Sequence, residues 1–326
     1  MKILVTGSAG HLGEALARTL AREHEVVGLD VQPSPFTAVV GSIADAEAVA
    51  RAMRGVQAVL HTATLHKPHV VTHSRREFVD TNIVGTLNLL EAAVAAGVVA
   101  FVYTSTTSVY GRALNPGGGA PAAWITEEIA PMPKNIYGVT KKAAEDLCEL
   151  FQHKLRLPCI VLRTSRFFPD ADDDATVREA YADDNVKANE YAYRRVELED
   201  VVTAHLLAMN HAPALGFRRY VISATTPFTH DDLPRLLTDV SAVLRERFAT
   251  YDREYGRRGW KMFPTIDRVY DNTLARSELG WVPRWTFGYV LERLAAGDAI
   301  QSALASRIGF KGYHAGKLGT EMYPTE

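Results

Sequence analysis

The chain has 326 residues, 47% of them hydrophobic and 23% charged, with a formal net charge of −2 at pH 7. This is the ordinary globular mix, in a chain long enough to bury a full core without staples. The near-neutral balance argues against a protein built around nucleic acid or an anionic membrane. No apolar run approaches the roughly 18 residues that span a bilayer, and the opening MKILVTGSAG reads at once as a strand, with no signal-peptide pattern. The two cysteines, Cys148 and Cys159, lack metal-ligand spacing. The expectation is a cytoplasmic, reduced protein with no bound metal, whose cysteines are small buried residues.

In chain order, short β-branched runs at Lys2–Thr6, 26–30, Ala58–His61 and 100–105 read as buried parallel strands. Between them, 12–23, 44–53 and 84–96 carry helical spacing, the first with Leu12, Leu16 and Leu20 four residues apart. Strand alternating with helix predicts a doubly wound parallel sheet. Further strands are expected at 158–164 and 219–223, and further helices at 199–209, 231–246 and Phe287–Ala296. The turn-rich 114–121 and the acidic 169–174 read as surface loops. The pattern loosens after residue 164. The predicted architecture is a Rossmann-type sheet domain over 1–164, with a sheet contribution from about 196–224. A smaller, partly interleaved α/β lobe is expected from 165–195 and 225–326.

Thr6-Gly7-Ser8-Ala9-Gly10-His11-Leu12-Gly13 follows the first strand and opens the first helix. Glycines at 7, 10 and 13 suit a tight turn, a close backbone approach to pyrophosphate, and helix–strand packing. The helix N-terminus adds free N–H groups and a partial positive charge. Asp30, at the end of the second strand, can accept both adenine-ribose hydroxyls and repels a 2′-phosphate; Val31 and Gln32 follow it rather than Arg or Lys. These features point to NAD rather than NADP.

Tyr137 and Lys141 stand four residues apart, on one face of an expected helix. A neighbouring ammonium stabilises phenolate, so Tyr137 is expected to titrate below its usual value near 10 and to accept a proton from a substrate hydroxyl. Upstream, the strand FVYTSTTS (101–108) runs into a hydroxyl cluster that can hold the substrate oxygen.

Together these parts resemble the extended short-chain dehydrogenase/reductase family, in its NAD-dependent epimerase/dehydratase branch. The resemblance covers nearly the whole chain. The glycine turn, Asp30, VLHTAT (59–64), Asn82-x2-Gly85-Thr86, TSTTSVYG (104–111), YGVTK (137–141) and ELGWVP (278–283) occur in the family's order. By position it implies Thr106 as the catalytic hydroxyl, Tyr137 as the acid/base, and Lys141 as the residue that holds the nicotinamide ribose and tunes Tyr137. It places Ser105 beside the nicotinamide, and Thr62, Ala63 and Thr64 along the cofactor. Ser42-Ile43 falls where the family usually has Asp-Ile near adenine, so Ser42 is a departure.

Thr107 and Ser108 occupy the positions where the family's 4,6-dehydratases carry Asp-Glu, and the decarboxylating branch carries Glu at the position of Ser108. Neither hydroxyl is an acid near neutral pH. The run looks most like that of the nucleotide-sugar 4-epimerases, in which an oxidised sugar turns over and takes hydride back on its other face. The substrate end departs from the family. Arg166 stands where an Asn is usual, Tyr193-Arg194-Arg195 where an Arg leads, and Arg257-Arg258-Gly259-Trp260 where Arg-x-Gly-Asp is usual.

Two readings stay open. Arg166, Arg194 and Arg257, with Thr106 and Thr107, hold a nucleotide sugar in altered geometry; or the substrate is a smaller sugar or sugar acid and the enzyme is a net dehydrogenase releasing NADH. Surface ion pairing is the alternative for these arginines, and one of Arg194 and Arg195 is expected to face solvent. His66, Lys67 and His69 can border the cleft. Trp260, Phe263, Trp281 and Trp285 can stack on a base or sugar, with core packing the simpler role for Trp281. A non-enzymatic NAD-binding regulator is disfavoured by the intact Thr106, Tyr137 and Lys141 set. Helices 84–96 and 141–153 are the expected homodimer surface.

Overall fold

The computed structural model describes residues 1–115 and 117–311. Pro116 of the expected 114–121 loop and the 312–326 end of the expected second lobe lie outside the described residues. The strands are β1 (Lys2–Thr6), β2 (Glu25–Asp30), β3 (Val39–Val40), β4 (Ala58–His61), β5 (Ala100–Thr106), β6 (Ala123–Ile125), β7 (Cys159–Thr164), β8 (Phe217–Ile222) and β9 (Arg268–Tyr270). The helices are α1 (His11–Leu20), α2 (Ala46–Ala52), α3 (Arg75–Val79), α4 (Gly85–Ala95), α5 (Ile136–Leu155), α6 (Ala175–Ala180) and α7 (Asp183–Glu190). They continue with α8 (Leu198–Leu215), α9 (Val240–Arg247), α10 (Tyr251–Gly256), α11 (Thr273–Leu279), α12 (Phe287–Ala296) and α13 (Ala303–Ile308).

Seven strands form one parallel sheet in the order β3-β2-β1-β4-β5-β7-β8, and β6 pairs with β9 in a second, two-stranded parallel sheet. Every residue of β4, β5 and β7 is buried, as strands covered on both faces require. Ile3, Val5, Leu60, Val102 and Ile160 face α1, α8 and α13 on one side. Leu4, Val59, Phe101, Cys159 and Val161 face α2, α4 and α5 on the other. A separate core of Tyr251, Tyr255, Trp285, Phe287 and Leu291 gathers α7, α9, α10 and α12. Cys148 and Cys159 are both buried and unpaired. No helix among the described residues is long and apolar enough to cross a membrane.

One expected helix does not form as a single element. Over 231–246 the chain makes two 3-10 turns, His230–Asp232 and Arg235–Leu237, before α9 starts. Pro234 removes a backbone donor, and the Asp239 side chain accepts from the Ala242 N–H, so Asp239 is an N-cap rather than a helix interior residue.

The switch from α3 to α4 runs through a π-helical turn at Asp80–Val84. It aims Asn82 inward, where its amide accepts from the Thr64 hydroxyl and the Leu65 N–H and donates to the Thr140 hydroxyl. Gly85 follows because a Cβ there would lie 2.5 Å from Ile43 Cγ1. The Asn82-x2-Gly85 motif therefore ties the loop after β4 to α5. On the opposite face of the sheet, the neutral His205 ring of α8 donates from Nδ1 to the Val201 carbonyl at 2.8 Å and accepts at Nε2 from the Thr104 hydroxyl at 2.7 Å.

Burial pushes His205 down to about 4 from its usual 6.5. The unfolded ring takes a proton near 6.5 and the folded ring only near 4. The unfolded state thus binds more protons in that window, and stability falls as pH drops through it. Denaturant unfolding at several pH values between 7 and 4 is expected to show a shallower loss for His205→Gln than for the parent chain; equal slopes would contradict this.

Candidate active site

Parallel strands deliver their C-terminal ends to one edge of the sheet, and the turn after β1 is where a ligand meets α1. Gly7 has a φ of 72°, and a Cβ there would lie 2.8 Å from Thr62 Oγ1 and 2.9 Å from the Ala63 nitrogen. A Cβ on Gly13 would sit 1.9 Å from the Gly7 carbonyl oxygen, so the close seating of α1 on the turn depends on that glycine. Gly10 caps α1 with no side-chain hydrogen bond, which leaves first-turn N–H groups for a ligand. Asp30 accepts from the Ala9 N–H at 2.9 Å and from the Gln32 N–H at 2.8 Å, which fixes its carboxylate at the head of the turn. Its oxygens keep lone pairs for ribose hydroxyls.

A single cleft of about 1370 Å³ opens here. That exceeds the usual space for one small ligand and leaves room for a dinucleotide and a second molecule. Gly7, Gly10, His11, Leu12, Gly13, Asp30, Ser42, Ile43, Thr62, Ala63 and Thr64 all line it, as do Ser105, Thr106, Thr107, Tyr137 and Lys141. Ser42, the departure from the family pattern, accepts from the Ala44 N–H at 3.1 Å. The sequence gives no sign that the far end of the chain reaches this turn. His11 Nε2 nevertheless donates to the Gly309 carbonyl at 2.7 Å, and Lys311 pairs with Glu14 on α1.

Thr106 ends β5 and Tyr137 opens α5, where the Asn135 side chain caps the helix by accepting from the Gly138 N–H. The Tyr137 hydroxyl faces the Thr106 hydroxyl across the cleft floor. Lys141 is buried, with Nζ donating to the Thr104 carbonyl at 2.6 Å and lying 4.1 Å over the Tyr103 ring. Ser105 donates to Glu145 at 2.5 Å, and Glu145 forms a fully buried ion pair with Arg163 at 2.8 Å. Neither member of that pair was singled out from the sequence; the four-residue step from Lys141 to Glu145 was the available signal.

The electrostatics differ from the expectation. Burial pushes Tyr137 up to about 12 against the lowering effect of the Thr106 hydrogen bond, and burial pushes Lys141 down to about 7 against the raising effect of Glu145. Lys141, itself pushed down to about 7 by burial, does not offset the cost of burying a phenolate at Tyr137.

At the substrate end, Arg166 and Arg194 line the cleft but arrive already paired. Arg166 donates to Asp172 at 3.1 Å and Arg194 to Asp172 at 3.2 Å. Arg194 and Arg195 lie 2.8 Å and 2.7 Å from the two oxygens of Glu190. Burial alone would raise Glu190, but Arg194, Arg166 and Arg195 hold it down at about 2. Neither Arg194 nor Arg195 is a solvent-facing residue, against the expectation.

Arg257 is a correction. It follows α10 with its side chain 62% exposed, pairs with Glu254, and stands away from the cleft, because the segment that carries it belongs to the outer aromatic core. Trp260, Phe263, Trp281 and Trp285 also stand outside the cleft. Trp281 is fully buried with its indole N–H on the Asp200 carbonyl, and the other three pack with the outer core. His66, Lys67 and His69 do border the cleft, and Lys67 pairs with Asp173 at 3.2 Å across its mouth. Arg268 and Tyr270 of β9 line it too. No spacing motif marks them, because their position depends on the pairing of β9 with β6.

The chain matches the family described as "NAD dependent epimerase/dehydratase family" over residues 3–223. A 2-alkyl-3-oxoalkanoate reductase of Stenotrophomonas maltophilia is 29% identical over 92% of this chain and 100% of its own length. Among solved structures, an NAD-bound short-chain dehydrogenase/reductase superfamily protein from Agrobacterium tumefaciens superposes with a TM-score of 0.64 at 24% identity, covering 91% of this chain and 96% of its own. A UDP-glucose 4-epimerase from Thermotoga maritima, solved with UDP-glucose, gives 0.61 at 22% identity, over 91% and 99%.

Asp30→Ala removes a charged acceptor from the cleft and is expected to weaken NAD binding about ten-fold or more while narrowing the preference over NADP. Calorimetric titration of both dinucleotides checks this, and unchanged affinities would remove Asp30 from the site.

Proposed function

We infer that this chain, which belongs to the NAD dependent epimerase/dehydratase family, is an NAD-dependent enzyme of the extended short-chain dehydrogenase/reductase type that interconverts a hydroxyl and an oxo group on a sugar-type substrate. The observation that carries the reading is the buried Thr106–Tyr137–Lys141 cluster at the floor of a cleft whose other end is the glycine turn. The turn at Gly7–Gly13 fits the cofactor's phosphates, Asp30 its ribose, and Lys141 the second ribose. When bound, NAD supplies a carbon that accepts hydride.

Tyr137 moves the proton at the substrate oxygen and Thr106 holds that oxygen against it. With Tyr137 up at about 12, the phenol is protonated near neutral pH. It is then ready to donate to an oxo oxygen, whereas oxidation of a hydroxyl needs the phenolate and speeds up as pH rises. Thr107 and Ser108 line the cleft but offer no carboxyl to remove water, so the substrate keeps its oxygen. This supports an epimerase-type reaction with NAD recycled, rather than a dehydratase.

A net dehydrogenase acting on a non-nucleotide sugar or sugar acid is the second reading. It is favoured by the pairing of Arg166 and Arg194 with Asp172 and Glu190, which leaves less cationic capacity for a diphosphate. The Stenotrophomonas relative, a 2-alkyl-3-oxoalkanoate reductase, supports the same hydroxyl–oxo chemistry. A homodimer through α4 and α5 is part of the reading, supported by exposed Val139 and Leu150 on α5; sedimentation equilibrium checks it, and a monomer at all concentrations contradicts it.

Tyr137→Phe is expected to lower turnover by about 10²–10⁴-fold while leaving NAD affinity unchanged. Turnover assayed by product analysis, beside NAD titration, checks both. A variant that still turns over at the parent rate contradicts the proton-transfer role.

A further inference from the structure

We propose that Arg268, with Arg194 beside it, anchors a single carboxylate on the substrate, so that this cleft takes a free sugar acid rather than a nucleoside-diphosphate sugar. The inference rests on the reading above, in which the cleft turns over a sugar hydroxyl.

The cations of the substrate end differ in what they have left to give. Arg166 spends Nη1 on Asp172 and Nη2 on the Asp170 and Ala171 carbonyls. Arg195 spends Nη1 on Glu190 and Nη2 on the Phe168 carbonyl, and Lys67 is held by Asp173. Arg268 is different. Its Nη1 sits on both oxygens of Asp267 at 2.7 and 2.8 Å and its Nε reaches the Tyr270 hydroxyl at 3.3 Å, while its Nη2 has no partner among the described residues. Arg194 uses Nε on Glu190 and Nη2 on Asp172, and its Nη1 is likewise without a partner there. The two guanidiniums are close enough to oppose each other's charge.

Charge matching limits what they can bind. Arg166, Arg194, Arg195 and Arg268 face Asp172, Glu190 and Asp267, an excess of one positive charge. Lys67 is offset by Asp173, and the last carboxylate of this end, Asp170, lies beside His11 at the cofactor turn. One positive charge and two open NH2 groups match a planar monoanion. A diphosphate brings at least two charges, more than the cluster has left to offset.

The placement suits a group on the sugar itself. Arg268 and Tyr270 alternate onto one side of β9, and Tyr270 packs with Val109 and Tyr110, on the turn that begins at Thr107 beside the catalytic Thr106. The anchor therefore stands on the cleft wall next to the reacting end, not at a distant nucleoside site.

The test uses the full chain with NAD and three probes: free galacturonate, free galactose and UDP-galactose. The parent chain is expected to turn over galacturonate with the highest kcat/KM. Arg268→Gln is expected to raise KM for galacturonate about ten-fold or more, with a smaller change in kcat and none in the residual rate on galactose. Arg268→Lys should recover part of the loss, and the exposed Arg257→Gln should behave as the parent. Preference for UDP-galactose or galactose, or equal losses on acid and neutral sugar in Arg268→Gln, overturns the proposal. If no probe is turned over, calorimetric titration of galacturonate into NAD-loaded protein decides. Binding lost in Arg268→Gln supports the anchor, and no binding to the parent chain overturns it. Failure of the underlying reaction shows itself separately, as turnover that survives Tyr137→Phe.

Discussion

The site depends on how one helix is seated. Arg163 of β7 and Glu145 of α5 form an ion pair sealed from solvent at 2.8 Å, and Arg163 also donates to the Tyr110 hydroxyl and the Glu127 carbonyl. A buried charge that loses its partner costs about 3–5 kcal/mol, so α5 has one stable register against the sheet. Tyr137, Lys141 and Glu145 follow one another at four-residue spacing on a single helix face. Fixing Glu145 fixes the other two. The same stripe meets the last three residues of β5: Glu145 takes the Ser105 hydroxyl, Lys141 the Thr104 carbonyl, and Tyr137 faces the Thr106 hydroxyl. The Thr106–Tyr137–Lys141 cluster thus sits on a helix seated by a buried ion pair.

The two ends of the cleft are built differently. The cofactor end is made of backbone: a left-handed Gly7, a Gly13 with no room for a side chain, and a helix terminus with free N–H groups. Such a site tolerates little change. The substrate end is made of charged side chains in a lattice, with Glu190 shared by three arginines and Asp172 by two. Exchanging one member of a lattice rebalances the rest, so under the proposed function this is the end that sets specificity. Arg268 stands at the edge of the lattice with donor capacity left over.

Much of this was legible in the sequence, for local reasons. The glycine turn, the alternation of strand and helix, and the Tyr137–Lys141 pair are short-range patterns, and each appears where those patterns put it. What the sequence hid is long-range. The partners of Arg166 and Arg194 are set by the path of 169–195. The place of Arg268 is set by the pairing of β9 with β6, residues far apart in the chain. Arg257 matched a motif by spacing but was carried outward with α10. The 231–246 helix failed on two local signals, Pro234 and Asp239, that apolar periodicity outweighed. The pKa of Tyr137 differs from the expectation because a four-residue spacing shows that an ammonium is near but not that both groups are buried.

The central claim is that Tyr137 moves a proton while hydride passes between the substrate and NAD. It is tested most directly by stopped-flow mixing of NAD-loaded protein with galacturonate, following the near-ultraviolet absorbance of reduced NAD. The account predicts that reduced cofactor forms within the first turnover, faster as pH rises, and that Tyr137→Phe abolishes the phase without loss of bound NAD. Product formed with no reduced cofactor at any time, or a phase unchanged in Tyr137→Phe, would contradict it.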